Sequence, residues 1–66
     1  MYSNAAEIIQ AGYNGFILDG KTYKIEFGRR GIVYGCDINN KDNKVAVAAT
    51  LLDEFIQIPL PMKRYK

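Results

Sequence analysis

"GFILDGKTYKIEFGRRGIVYGCDI", residues 15–38, decides how this chain folds. Asp19-Gly20 stands between two apolar-rich runs, which is a strong signal for a two-residue hairpin turn. Such a turn pairs Leu18 with Lys21 and Phe16 with Tyr23. Tyr23, Ile25 and Phe27 then alternate with Thr22, Lys24 and Glu26, the period of a half-buried strand. "IVYGCDI" predicts a third strand. If the four-residue Gly28-Arg29-Arg30-Gly31 stretch is the loop, Phe27 pairs with Ile32, Ile25 with Tyr34 and Tyr23 with Cys36. That register keeps one apolar face continuous, which is how register is normally fixed.

Working outward, "NNKDNK" (39–44) is crowded with turn formers, and "KVAVAA" predicts a fourth strand. Pairing Asn39 with Lys44 places Ile38 opposite Val45 and Cys36 opposite Val47. Thr50 and Asp53 are spaced to cap one helical turn, "LLDEF". "IQIPL" predicts a fifth strand, and Pro59 and Pro61 suit an edge position. Before the sheet, "SNAAEIIQAGY" predicts a helix over 3–13. Ser3 or Asn4 can cap it, Asn4 and Glu7 have capping-box spacing, Ala5, Ile8, Ile9 and Tyr13 form one stripe, and Gly12 is a natural stop.

The expected fold is therefore α+β or mainly β: a short N-terminal helix followed by a five-stranded antiparallel meander. It forms one small domain over 1–66, with the sheet at 15–60 and a loose basic tail at 61–66. The element order resembles the small five-stranded barrels of the Sm and Src-homology-3 kind. An open sheet with the helix on one face is the alternative. Either way, a second face carrying Ile17, Val33, Gly35, Ala46 and Ala48 needs a cover, either the protein's own helix or another subunit. Val33, Gly35, Ala46 and Ala48 are the interface candidates.

The 66 residues include 48% hydrophobic and 24% charged residues, an ordinary globular balance. A domain of this size has a thin stability margin, and small scaffolds usually gain a disulfide, a metal or a partner subunit. Cys36 is the one cysteine and there is no histidine, so an internal disulfide and a structural zinc site are excluded. Self-association or an efficient core remains. No apolar run approaches the length that spans a bilayer, and "MYSNAAEIIQ" lacks signal-peptide organisation. The expectation is a reduced, cytoplasmic setting with no membrane contact. A net charge of +2 does not by itself indicate nucleic acid.

Without histidine the commonest general base is missing, and no Ser-His or Cys-His pair can form within one chain. Cys36, expected to face Tyr23 and Val47, reads as structural. No carboxylate pair is forced together in an apolar cleft, as acid–base work would want. "NNKDNK" lacks the glycine and closing glutamate of a calcium loop. No catalytic residue, metal or cofactor is expected, and the protein is not read as an enzyme.

Two basic features remain. Gly28-Arg29-Arg30-Gly31 joins glycines that permit close approach to a ligand with arginine forks that match phosphate oxygens, yet a tight turn also needs glycine. Lys63, Arg64 and Lys66 interleave with Tyr65, a mixture that base-stacking proteins use, and Tyr13 is a further possible contact. Meander topology puts the arginine loop at the end where the first helix finishes, and the tail at the other end near Lys41 and Lys44. A symmetric oligomer would gather the arginine loops around an axis. The favoured reading is a protein-binding module, such as a small inhibitor or adaptor of a type common in phages and mobile elements. The alternatives are a binder of a nucleotide or single-stranded nucleic acid through the arginine loop, and a structural subunit of a larger assembly.

Overall fold

Asp19 and Gly20 both take positive φ, 53° and 76°, the geometry whose twist matches a two-residue hairpin. They join β1 (Gly15–Leu18) to β2 (Lys21–Arg29). The register is the expected one, with Phe16 opposite Tyr23 and Leu18 opposite Lys21. This is a computed structural model, and it describes residues 2–59. The sheet continues through β3 (Ile32–Asp37), β4 (Asn40–Ala48) and β5 (Phe55–Ile56). All pairings are antiparallel and the spatial order is β4-β3-β2-β1-β5. The sheet is open rather than a closed barrel, and β5 is an edge strand, but it is Phe55–Ile56 rather than the expected "IQIPL" and contains no proline.

The second hairpin departs from expectation. Its turn is Arg30-Gly31 alone, again with both φ positive, at 52° and 78°. Arg29 pairs with Ile32, Gly28 with Val33 and Phe27 with Tyr34. Glu26 is then an extra residue on β2, and beyond this bulge Ile25 pairs with Gly35 and Tyr23 with Asp37. The expected Phe27–Ile32, Ile25–Tyr34 and Tyr23–Cys36 pairs do not form. The third hairpin shifts as well. Asp37 accepts from the backbone N–H of Asn39 at 2.8 Å, which tightens the turn to Ile38-Asn39 with Asp37 opposite Asn40. Lys41–Asn43 then bulge before Cys36 meets Lys44, Gly35 meets Val45 and Val33 meets Val47.

Odd register shifts exchange the faces. The buried face of β3 is Val33 and Gly35, with Val45 and Val47 beside them on β4. Ile32, Tyr34 and Cys36 lie on the other side, with Ala46 and Ala48. The set Val33, Gly35, Ala46 and Ala48 is thus divided between two faces. Cys36 neighbours Lys24 and Lys44 rather than Tyr23 and Val47. It is still buried, its thiol 3.4 Å from the Lys41 carbonyl oxygen.

The helix, α1, runs from Ala5 to Gln10, shorter than expected. Asn4 caps it by accepting from the Glu7 N–H at 3.0 Å. Glu7 returns the contact to Ser3, whose N–H and hydroxyl donate to its carboxylate at 2.7 and 2.9 Å. Gly12, at φ 102°, ends it. Of the predicted stripe, Ala5 and Ile8 are buried, Tyr13 is half-buried and Ile9 is exposed. The core consists of Ala5, Ile8, Phe16, Tyr23, Val33, Ala49 and Leu52. Phe16 stacks on Tyr23 at 5.4 Å and reaches across β2 to Gly35, where a Cβ would come within 2.7 Å of its ring. Tyr23 is a core residue as expected. Tyr34 is not.

After β4 a 3-10 turn (Ala49–Leu51) replaces the expected "LLDEF" helix. Ala48 precedes it with no side-chain cap, so Thr50 and Asp53 do not play the capping part. Asn14 fixes the last described segment, its side chain bonding both backbone groups of Ile58. Gln57 donates to the Gly12 carbonyl at 2.7 Å. Up to Pro59 the chain therefore runs beside the end of α1, and the tail expected near Lys41 and Lys44 lies outside the described residues.

Candidate functional site

The sheet has one covered face and one open face, and the open face is the candidate site. On β2, Gly28 points to the helix side, where an added Cβ would run into the Ala5 side chain. Its neighbours Phe27 and Arg29 therefore point the other way. On β3, Tyr34 follows the buried Val33 and shares the side of Phe27. Their rings stack at 4.5 Å with an interplanar angle of 12°. Phe27 keeps 53% of its surface exposed. Ile32, Ala46 and Ala48 surround the pair, as the pairing of Ile32 with Ala48 and Tyr34 with Ala46 requires.

Charge frames this patch. Arg29 stands at one end, opposite Ile32. At the other end Lys24 and Lys44 flank Cys36. The Lys44 ammonium meets the Glu26 carboxylate at 3.4 Å, which confirms that the bulge turns Glu26 onto this same face. The contact is solvent-exposed and adds at most a few tenths of a kcal/mol to about 1 kcal/mol.

The two arginines occupy different elements. Gly28 and Arg29 belong to β2, and only Arg30 and Gly31 form the turn. Arg29 extends the open face, whereas Arg30 tips the hairpin. The turn meets the start of α1 rather than its finish, with the Ser3 carbonyl oxygen 3.3 Å from where a Gly31 Cβ would sit. Gly28, Arg29, Arg30 and Gly31 line a shallow concavity with Asn4, Ala5 and Ala6. Tyr13 belongs to a separate aromatic group, with its ring 5.6 Å from Phe55 and 6.5 Å from Tyr2. Val33 and Gly35 lie inside the core, and Ala46 and Ala48 lie on the open face. Lys63, Arg64, Tyr65 and Lys66 fall outside the described residues.

One buried polar network sits at the far end of the covered face. Asp37 is buried and accepts from the Asn39 backbone and from the Asn43 side chain at 3.2 Å. Asn43 also reaches the Tyr23 hydroxyl. These bonds, the backbone one foremost, hold the Asp37 carboxyl below its ordinary value. Glu7 is lowered too, chiefly by the two bonds from Ser3. Both are satisfied structural carboxylates, and among the described residues no buried side-chain N or O lacks a partner. Nor do three His, Cys, Asp or Glu side chains gather there as metal ligands do. No helix of the described residues is long and apolar enough to cross a membrane.

The Phe27–Tyr34 pair escaped sequence reasoning because it depends on a turn of Arg30-Gly31 alone, and its place on the open face depends on the bulge at Glu26. The available signal was Gly28: a glycine inside a strand often marks a close approach by another backbone. Comparison with protein-family models, curated proteins and solved structures gave no match to this chain.

Proposed function

We propose that the protein is a non-enzymatic protein-binding module, a small inhibitor or adaptor, and that its contact surface is the open face of the sheet. Phe27 carries this reading. It is a large aromatic residue, half exposed, stacked on Tyr34 and set among small apolar side chains with Arg29 at the margin. Aromatic residues and arginine dominate the energetics of protein interfaces. Ala46 and Ala48 let a partner's backbone come close beside such anchors. The other exposed large hydrophobics, Ile9, Ile38 and Leu51, have no comparable stacked neighbour, and scattered apolar residues are ordinary on protein surfaces.

The test is recovery of a stoichiometric partner from the producing cell, with wild type and with Phe27→Ser, Tyr34→Ser. The wild type is expected to retain the partner and the double variant to lose it, while Arg30→Ala retains it. Loss with Arg30→Ala but not with the double variant would move the site to the turn.

A second reading is favoured by one observation: Arg29 and Lys24 flank the aromatic pair on the same face. Stacking surfaces for single strands combine such groups. Fluorescence anisotropy with labelled oligo-dT decides it. Binding that falls with salt and with the double variant supports the nucleic-acid reading, and no binding leaves the protein reading.

A further inference from the structure

The two edges of the sheet are built differently. β5 pairs over only two residues and is followed by Pro59, a short, proline-blunted edge. β4 is nine residues long. Its first half is guarded by the Lys41–Asn43 bulge and by charge. From Lys44 to Ala48 the ladder to β3 is regular and holds no proline and no charge beyond Lys44. That charge is drawn to Glu26 on the protein's own open face.

The hydrogen-bond phase of this edge can be worked out. The Ala49 N–H donates to the Gly31 carbonyl at 2.8 Å, so residues 31 and 49 form a bonded pair. Alternation along an antiparallel ladder then directs the backbone groups of Val47 and Val45 inward to β3. Those of Lys44, Ala46 and Ala48 point off the sheet, where no described strand meets them. Backbone donors and acceptors in a row fit one kind of partner, another extended strand.

The segment is self-complementary. Laid antiparallel on itself about Ala46, it places Ala46 opposite Ala46, Lys44 opposite Ala48 and Val45 opposite Val47 of the second copy. All three outward-pointing residues enter bonded pairs, and the half-buried valines meet on the covered side. We propose that the protein forms a two-fold dimer by pairing β4 with β4 of a second copy, centred on Ala46, making one sheet continuous across both chains. The axis stands perpendicular to the sheet, so both Phe27–Tyr34 pairs emerge on the same side. The dimer also supplies the kind of subunit contact that small scaffolds commonly gain, in a chain whose single cysteine cannot close an internal disulfide. The inference rests on the edge and not on the identity of any partner of the open face.

Sedimentation velocity of the wild type from micromolar to millimolar concentration should show the mass rising from monomer to dimer. Ala46→Lys sets two ammonium groups directly opposite each other across the axis. It should stay monomeric over the same range with an unchanged folded circular-dichroism spectrum. Ala46→Cys should form a disulfide-linked dimer under mild oxidation, because bonded cross-strand pairs lie about 5.5 Å apart at Cα, within disulfide reach. Wild type, with Cys36 buried, should not. A wild type monomeric throughout overturns the proposal. So does a dimer that Ala46→Lys leaves intact, or Ala46→Cys cross-linking no faster than a cysteine at exposed Ala6.

Discussion

The covered and open faces of the sheet use aromatic residues to opposite ends. On the covered face Phe16 is fully buried, stacked on Tyr23 and seated over Gly35. On the open face the Phe27–Tyr34 stack is closer, yet Phe27 keeps half of its surface in water. Stability depends on how much surface leaves water and how tightly it packs. The covered stack holds the fold, while the open stack leaves apolar area that the fold does not bury.

The largest expected effect tests the covered side. Phe16→Ala removes a fully buried ring and should cost about 3–5 kcal/mol. Much of the stability of a domain this small would go, so the far-ultraviolet spectrum and thermal melt should show a largely unfolded chain. A cooperative melt near that of the wild type would break the comparison. Gly35→Ala comes next. Its Cβ would fall within 2.7 Å of the Phe16 ring, and overpacking of this kind costs about 1–3 kcal/mol. Denaturant unfolding should report the loss. The same change at Gly20, whose added Cβ would meet nothing within 4 Å, tests only its positive φ.

A smaller effect is expected at the end of the covered face. The carboxyl of Asp37 is held below its ordinary value in the folded protein. Its contribution is complete above the unfolded value of about 4 and is lost as pH falls through the lower folded value. Asp37→Asn should therefore melt lower than wild type at neutral pH, with the gap closing below about pH 4. A gap independent of pH would mean that charge is not what Asn39 and Asn43 stabilise.

How much of this was legible before the structure follows from the two hairpins. Asp19-Gly20 is a favoured pair for a turn needing two positive φ values, and its register was read correctly. Arg30-Gly31 adopts the same geometry, but arginine is not a residue that announces positive φ. Gly28 stands symmetrically with Gly31 and reads as part of the loop, although in the structure it lies within β2 and lets Ala5 approach the strand. Gly28 hides the two-residue turn, whereas the exchange of faces that brings Tyr34 to the open side comes from the Glu26 bulge and the shifted third hairpin. The helix cap at Asn4, the stop at Gly12 and the burial of Ile8 were readable, because each depends on local chemistry. Asn14 gripping Ile58 was not, because the partners lie 44 residues apart.

The central claim is that the open stack serves binding and not folding. Phe27→Ser, Tyr34→Ser is its most direct test, measured together by thermal melting and by retention of the partner captured by wild type. Each ring contributes little to stability from a surface stack, about 0.5–1.5 kcal/mol for the pair beyond area burial. The expected result is a folded, cooperative melt, lowered by far less than in Phe16→Ala, and loss of the partner. A double variant that unfolds, or one that melts normally and still holds the partner, would contradict it.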